Sequence, residues 1–93
     1  MGLPEKPIAK LRNWLFIDNF GVAYLIGNVY GHWRFKDGIN VRTSYIKNAK
    51  KEHDRFVIET CNTIYVCLFE DMSAEQMPLA VDALWESLQV YTN

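Results

Sequence analysis

Between Val22 and Tyr45 the chain reads VAYLIGNVYGHWRFKDGINVRTSY, an alternating stretch that turns back on itself at Asp37-Gly38. Glycine accepts positive φ at no steric cost and aspartate can hydrogen-bond its own backbone, so this pair predicts a tight turn between two strands. The run before the turn, Val22 to Trp33, is longer than an ordinary strand of about 5–6 residues. Gly27 and Gly31 interrupt it on one face. Glycines inside strands mark bulges, bends or close backbone approach, and bends are how a short sheet curls toward a barrel.

The flanking segments extend the same pattern. Leu11 to Asp18 is a strand with Leu11, Leu15 and Ile17 on one face and Trp14 and Phe16 on the other, and Asp18 to Gly21 is a turn. After the Asp37-Gly38 turn, Ile39, Val41, Thr43 and Tyr45 share the face opposite Asn40, Arg42, Ser44 and Ile46. Lys47 to Asp54 is a charged loop or edge connection. Arg55 to Thr60 and Thr63 to Phe69 are β-rich runs joined by a turn at Cys61-Asn62. Residues 1–9, with Pro4 and Pro7, form an extended arm.

Beyond residue 70 the period changes. Ser73 followed by Gln76 resembles a capping box, and Met77, Val81, Leu84 and Leu88 lie on one helical stripe widened by Ala80 and Trp85. Pro78 is acceptable only in a first turn, so the helix is expected from Pro78 to Val90 within a helical segment 73–90. The pattern predicts an α+β fold: a curved five-stranded antiparallel sheet in meander order over residues 11–69, or a small SH3-like barrel, covered by one C-terminal helix.

At 93 residues the chain is expected to be a single domain, 1–93. No apolar run approaches the roughly 20 residues of a membrane span, and the N-terminus carries no signal-peptide core, so a cytoplasmic protein without membrane contact is expected. Met1-Gly2 opens a myristoylation pattern, but Lys6 stands where Ser or Thr is required. On one strand Cys61 and Cys67 would lie roughly 20 Å apart, beyond disulfide reach, so reduced thiols are expected, with Cys67 as a small core hydrophobe. No metal-ligand spacing involves His32 or His53, and no cofactor is called for. Phosphate-cradling, nucleophile-elbow and zinc-protease motifs are absent, which argues against an enzyme and leaves no catalytic residue to name.

Charge is divided along the chain. Residues 1–69 hold all ten Lys and Arg against six acids, a balance of +4, whereas residues 70–93 hold five acids and no base, a balance of −5. Three candidate surfaces follow. The first is the cluster Tyr30, His32, Trp33, Arg34, Phe35, Arg42 and Tyr45, because aromatic and Arg side chains dominate interfaces, although closing a small sheet also consumes aromatics. The second is Lys47, Lys50, Lys51 and Arg55, with His53, as phosphate contacts, weighed against a solvated loop broken by Glu52 and Asp54. The third is the acidic helical piece, with Glu75, Asp82 and Glu86 as contacts for a basic partner, weighed against a plain lid on the sheet.

The segment GHWRFKDGINVRTS, Gly31 to Ser44, resembles a hairpin of short uncharacterised phage and mobile-element proteins in which a Gly-His pair, a Phe-x-Asp-Gly turn and a Thr-Ser ending recur. The resemblance implies a small accessory protein that acts by binding. Small size, the absence of catalytic motifs and the Trp33 patch make the leading expectation a non-enzymatic binding protein acting by protein–protein contact, such as a phage or mobile-element accessory or inhibitor protein. The alternatives are a single-stranded nucleic-acid-binding small β-barrel and an immunity-like protein that meets a basic partner through its acidic helix. A homodimer through a sheet edge or the aromatic patch is a further expectation.

Overall fold

The computed structural model describes residues 6–76 and 81–91. Its first strand, β1 (Ile8–Asn19), is organised by a bulge. Asn13 sits at φ 51, a left-handed conformation that asparagine tolerates better than most residues, and the pairing with β2 (Val22–Tyr30) shifts register between Arg12 and Leu15. The shift changes parity, so Leu11 and then Trp14 and Phe16 all face the core while Leu15 and Ile17 lie outward and half-buried.

Gly27 lies opposite this bulge. A Cβ there would come within 3.1 Å of the Arg12 carbonyl and 3.2 Å of the Trp14 backbone. The interior glycine therefore marks a close approach, whereas Gly31, at φ 75, lies beyond the end of β2. Gly27→Ala is expected to destabilise the fold by about 1–3 kcal/mol through overpacking, read as a lower urea midpoint.

The β1–β2 turn has both central residues at positive φ, Phe20 at 55 and Gly21 at 83, the geometry of a type I′ hairpin. Asparagine suits the first position; phenylalanine stands there fully in solvent. Phe20→Asn is expected to raise stability by about 0.5–1 kcal/mol, measured by thermal unfolding.

Four further strands complete the sheet: β3 (Asn40–Arg42), β4 (Ile46–Lys51), β5 (Arg55–Thr60) and β6 (Ile64–Leu68). Their order is β3-β2-β1-β6-β5-β4. The sheet is thus six-stranded and mixed rather than a five-stranded antiparallel meander, because the start of β1 pairs in parallel with β6 through Ile8–Ile64, Ala9–Tyr65 and Lys10–Val66. Ile8 and Ala9, expected in an arm, belong to this pairing. Lys6 reinforces it by donating to the Glu59 carboxylate and, at 3.0 Å, to the Thr60 carbonyl.

The two edge strands are joined by residues 43–45 alone. A flat sheet of this order would separate its edges by about 24 Å at about 4.8 Å per strand. Four Cα steps span at most about 15 Å. The sheet must therefore curl, but it keeps two edges and does not close into a barrel.

Thr43 begins the crossover. Its amide donates to the Leu25 carbonyl, while its hydroxyl accepts from the Leu25 amide and donates to the Ser44 carbonyl. The expected strand Ile39–Ile46 breaks here, leaving Tyr45 exposed and Ile46 buried, the reverse of the alternation read from sequence. The charged stretch Lys47 to Asp54, expected as a loop or edge connection, supplies most of the edge strand β4 and the turn that follows it. A second register shift, between Ile46 and Asn48, turns Ile46 and Ala49 inward and leaves Lys47 and Lys50 in solvent, as an edge strand favours.

The core gathers Trp14, Phe56, Leu11, Leu25, Ile58 and Cys67, closed by Leu84 and Leu88 of the helix α1 (Val81–Leu88). Phe56 meets Trp14 edge to face at 6.0 Å and Phe69 at 5.0 Å, and stacks on Trp85 at 5.9 Å. The expected stripe is confirmed at Leu84 and Leu88, with Val81 and Trp85 packed partly against the core; Met77, Pro78 and Ala80 lie outside the described residues.

Ser73 and Gln76 do not act as a capping box. Ser73 opens a turn, its hydroxyl accepting from the Glu75 amide and its carbonyl from the Gln76 amide. The Gln76 carboxamide accepts from the Phe16 amide and donates to the Phe16 carbonyl at 3.1 Å. Its side chain thereby serves as a single rung of strand along β1, where β6 no longer pairs.

Candidate functional site

β2 ends at Tyr30 and β3 begins at Asn40, so Asp37-Gly38 closes a long loop, 31–39, rather than a tight two-residue hairpin. Its neck is tied by Gly38 N–H donating to the Val29 carbonyl at 2.7 Å, Val29 N–H to the Ile39 carbonyl at 2.9 Å and the Asn28 amide to the Gly38 carbonyl at 2.9 Å. Asp37 bonds the Gly31 amide across the loop at 2.8 Å instead of its own backbone. These contacts tie the neck of the loop to the end of β2.

His32 anchors the loop to the sheet. Its Nδ1 accepts from the Arg34 amide at 3.0 Å, so in this network Nε2 carries the proton and donates to Thr63 Oγ1 at 3.1 Å. Thr63 in turn donates to Asn62 Oδ1 at 3.0 Å. The imidazole lies over the buried Tyr65 at 6.2 Å, beside Phe35 at 4.8 Å and against Trp33 at 5.9 Å. Burial, and then the charge of Arg34, lowers its pKa from the ordinary 6.5. Neutral His32 is the form this network needs.

Outside this anchor the aromatic surface is open. Trp33 is 67% exposed and Tyr45 52% exposed, and the Arg34 guanidinium lies 5.7 Å from the Trp33 ring and 5.8 Å from Phe35. Tyr45 reaches the same end because Ser44 Oγ accepts from the Cys61 amide at 3.1 Å, tying the crossover to the turn that carries Thr63. Trp33 is thus no plug of a closed barrel.

Other members of the predicted cluster diverge. Tyr30 is half-buried under the Arg12 guanidinium at 5.5 Å. Arg42 lies 4.2 Å over Tyr24 on the outer face of β2 and β3 and so does not join the Trp33 group.

The candidate phosphate contacts are spread along β4 and β5 and mostly matched by acids. Lys50 faces Glu52 at 3.6 Å, Lys51 faces Asp82 at 3.4 Å, and Arg55 bonds Asp54 at 2.7 Å. Lys47 stands exposed beside Tyr45 with no ion pair among the described residues. On α1, Asp82 and Glu86 are exposed one turn apart, while Glu75 belongs to the preceding turn.

Sequence reasoning missed three features. Ile8 and Ile39 are exposed, and Thr63 receives His32 from 31 residues away in sequence. The parallel β1–β6 pairing brings His32 and Thr63 together, and no local pattern announces it. Cys67 is buried and unbridged, its thiol pushed well up by burial, and Cys61 is exposed and unbridged. Among the described residues no three His, Cys, Asp or Glu gather as metal ligands, and no helix is long and apolar enough to cross a membrane. No protein-family model, curated protein or solved structure matches the chain.

Proposed function

We propose that this is a non-enzymatic binding protein that docks on a protein partner through the Trp33 loop. The observation that carries the reading is a large indole held in water by a loop whose backbone is fixed at its neck and latched to the sheet through His32. Folding gains little from such a ring. Binding gains much, because a preorganised aromatic buries large area at low entropic cost and Trp and Arg are the residues that most often dominate interfaces. The likeness of Gly31 to Ser44 to a phage and mobile-element hairpin supports an accessory role by binding.

Trp33→Ala is expected to leave the unfolding midpoint within about 0.5 kcal/mol of wild type, as for other exposed side chains. It should remove partners recovered from lysate by the wild-type protein, with Arg34→Ala weakening the same partners. Recovery of identical partners by wild type and Trp33→Ala would reject the reading.

A further inference from the structure

We infer that the Trp33 rim receives an acidic polypeptide segment, an apolar side chain of which packs on Trp33 and Phe35 while its carboxylates meet Arg34, Lys36 and Lys47. The inference rests on the rim being a contact surface and adds the chemistry of what it contacts.

Exposed apolar side chains concentrate at this end. Trp33, Phe35 and Ile39 of the loop and Tyr45 of the crossover stand exposed, whereas Ile8, also exposed, pairs with Ile64 on the sheet face opposite the buried Tyr65. The loop and the crossover are linked through the turn Cys61–Thr63, whose Cys61 amide donates to Ser44 and whose Thr63 receives His32.

Charge separates this end from the rest of the surface. Lys6, Lys10, Arg12, Lys50, Lys51 and Arg55 each lie beside a carboxylate. Arg34, Lys36 and Lys47 are exposed and have no ion pair among the described residues; Arg42, over Tyr24 and away from the rim, also has none. The acids at the same end are Glu59, paired with Lys6, and Asp37, which accepts from the Gly31 amide and keeps its negative charge. The rim therefore combines apolar side chains with an excess of positive charge, Arg34, Lys36 and Lys47 against Asp37, while α1 displays Asp82 and Glu86. Such a layout favours an acidic partner at the rim and repels it from the helix, which sets orientation as well as encounter rate.

A nucleic-acid strand fits less well. It requires a track of free cations along the backbone, and the basic residues that continue along β4 and β5 face their own acids. Arg34, presented as a planar fork beside two rings, is suited to bidentate carboxylate recognition.

The test is selection of random peptides on the wild-type protein, each then measured against Trp33→Ala and against an Arg34→Glu/Lys36→Glu double variant, both of whose substituted side chains stand in solvent. Peptides lost on Trp33→Ala are expected to be net acidic with an apolar residue. They should weaken by about tenfold or more on the double variant and on raising salt from about 0.05 to about 0.5 M. Trp33-dependent peptides that are neutral or basic would overturn the acidic assignment while keeping the rim as a contact surface. An absence of Trp33-dependent peptides would overturn both. A single-stranded oligothymidylate that binds more tightly than every selected peptide, and loses binding in Trp33→Ala, would assign the rim to nucleic acid and overturn the inference.

Discussion

Trp14→Ala is expected to lose about 3–5 kcal/mol of stability, the range for truncating a buried aromatic. Small domains have only about 5–15 kcal/mol in total, so the variant should sit near or below half-folded under mild urea. The indole is fully buried at the β1 bulge and packs edge to face against Phe56. Its N–H donates to the Leu68 carbonyl at 2.8 Å. The backbone around it holds the end of the sheet together: Trp14 bridges Met72, and its carbonyl accepts from the Ser73 amide. Loss of this side chain empties the place where β1, β6 and the segment leading to α1 converge. Trp14→Phe keeps an aromatic ring but removes the donor and part of the ring volume, so it should lose less than Trp14→Ala, a hydrogen bond on the order of 1 kcal/mol plus the cost of a smaller cavity. Urea unfolding followed by circular dichroism checks both. A Trp14→Ala midpoint equal to wild type would show that the core does not depend on this residue.

How far the sequence reports this fold depends on whether each feature is set locally. The alternation of Val22 to Tyr30 and Arg55 to Thr60, the turn at Cys61-Asn62 and the Leu84–Leu88 stripe are written into neighbouring residues, and all are found. Gly27 rightly signals a close approach, yet the bulge it faces belongs to Asn13, where a polar residue had looked like a mere interruption of Leu11, Leu15 and Ile17. β4 was hidden because an edge strand needs only one apolar face, and its register shift reduces that face to Ile46 and Ala49. The parallel pairing of β1 with β6 joins residues far apart in sequence, so neither the strand order nor the meeting of His32 with Thr63 could be read from spacing. The candidate site shows the same division. Trp33, Arg34 and Phe35 are adjacent in sequence and remain together, whereas Arg42 is drawn to Tyr24 by the β2–β3 register.

Acidification is expected to release the Trp33 loop from the sheet. The Arg34 amide needs a lone pair on His32 Nδ1, and protonation of that nitrogen replaces the acceptor with a second donor and places a positive charge beside Arg34. The groups facing the imidazole are Arg34, Trp33 and Phe35 from the loop and Thr63 and Tyr65 from the turn and β6, with no carboxylate hydrogen-bonded to the ring among the described residues to compensate the new charge. The lowered pKa fixes the sign. A released or unfolded loop binds the proton more readily than the latched one, so the latch contributes fully above the ordinary value of 6.5 and is lost as pH falls through the lower folded value. Nitrogen-15 shifts of the ring are expected to show the proton on Nε2 at neutral pH. On acidification the Arg34 amide should lose its hydrogen-bonded shift, and its hydrogen-exchange protection, corrected for the intrinsic rate, should fall together with that of the Gly31 amide. His32→Phe preserves the stack and removes the titration, so its loop should be insensitive to pH over this window, while His53→Ala, at the β4–β5 turn, should behave as wild type. Titration of His32 at or above 6.5, or loop amides unchanged through its protonation, would show that the imidazole does not hold the loop.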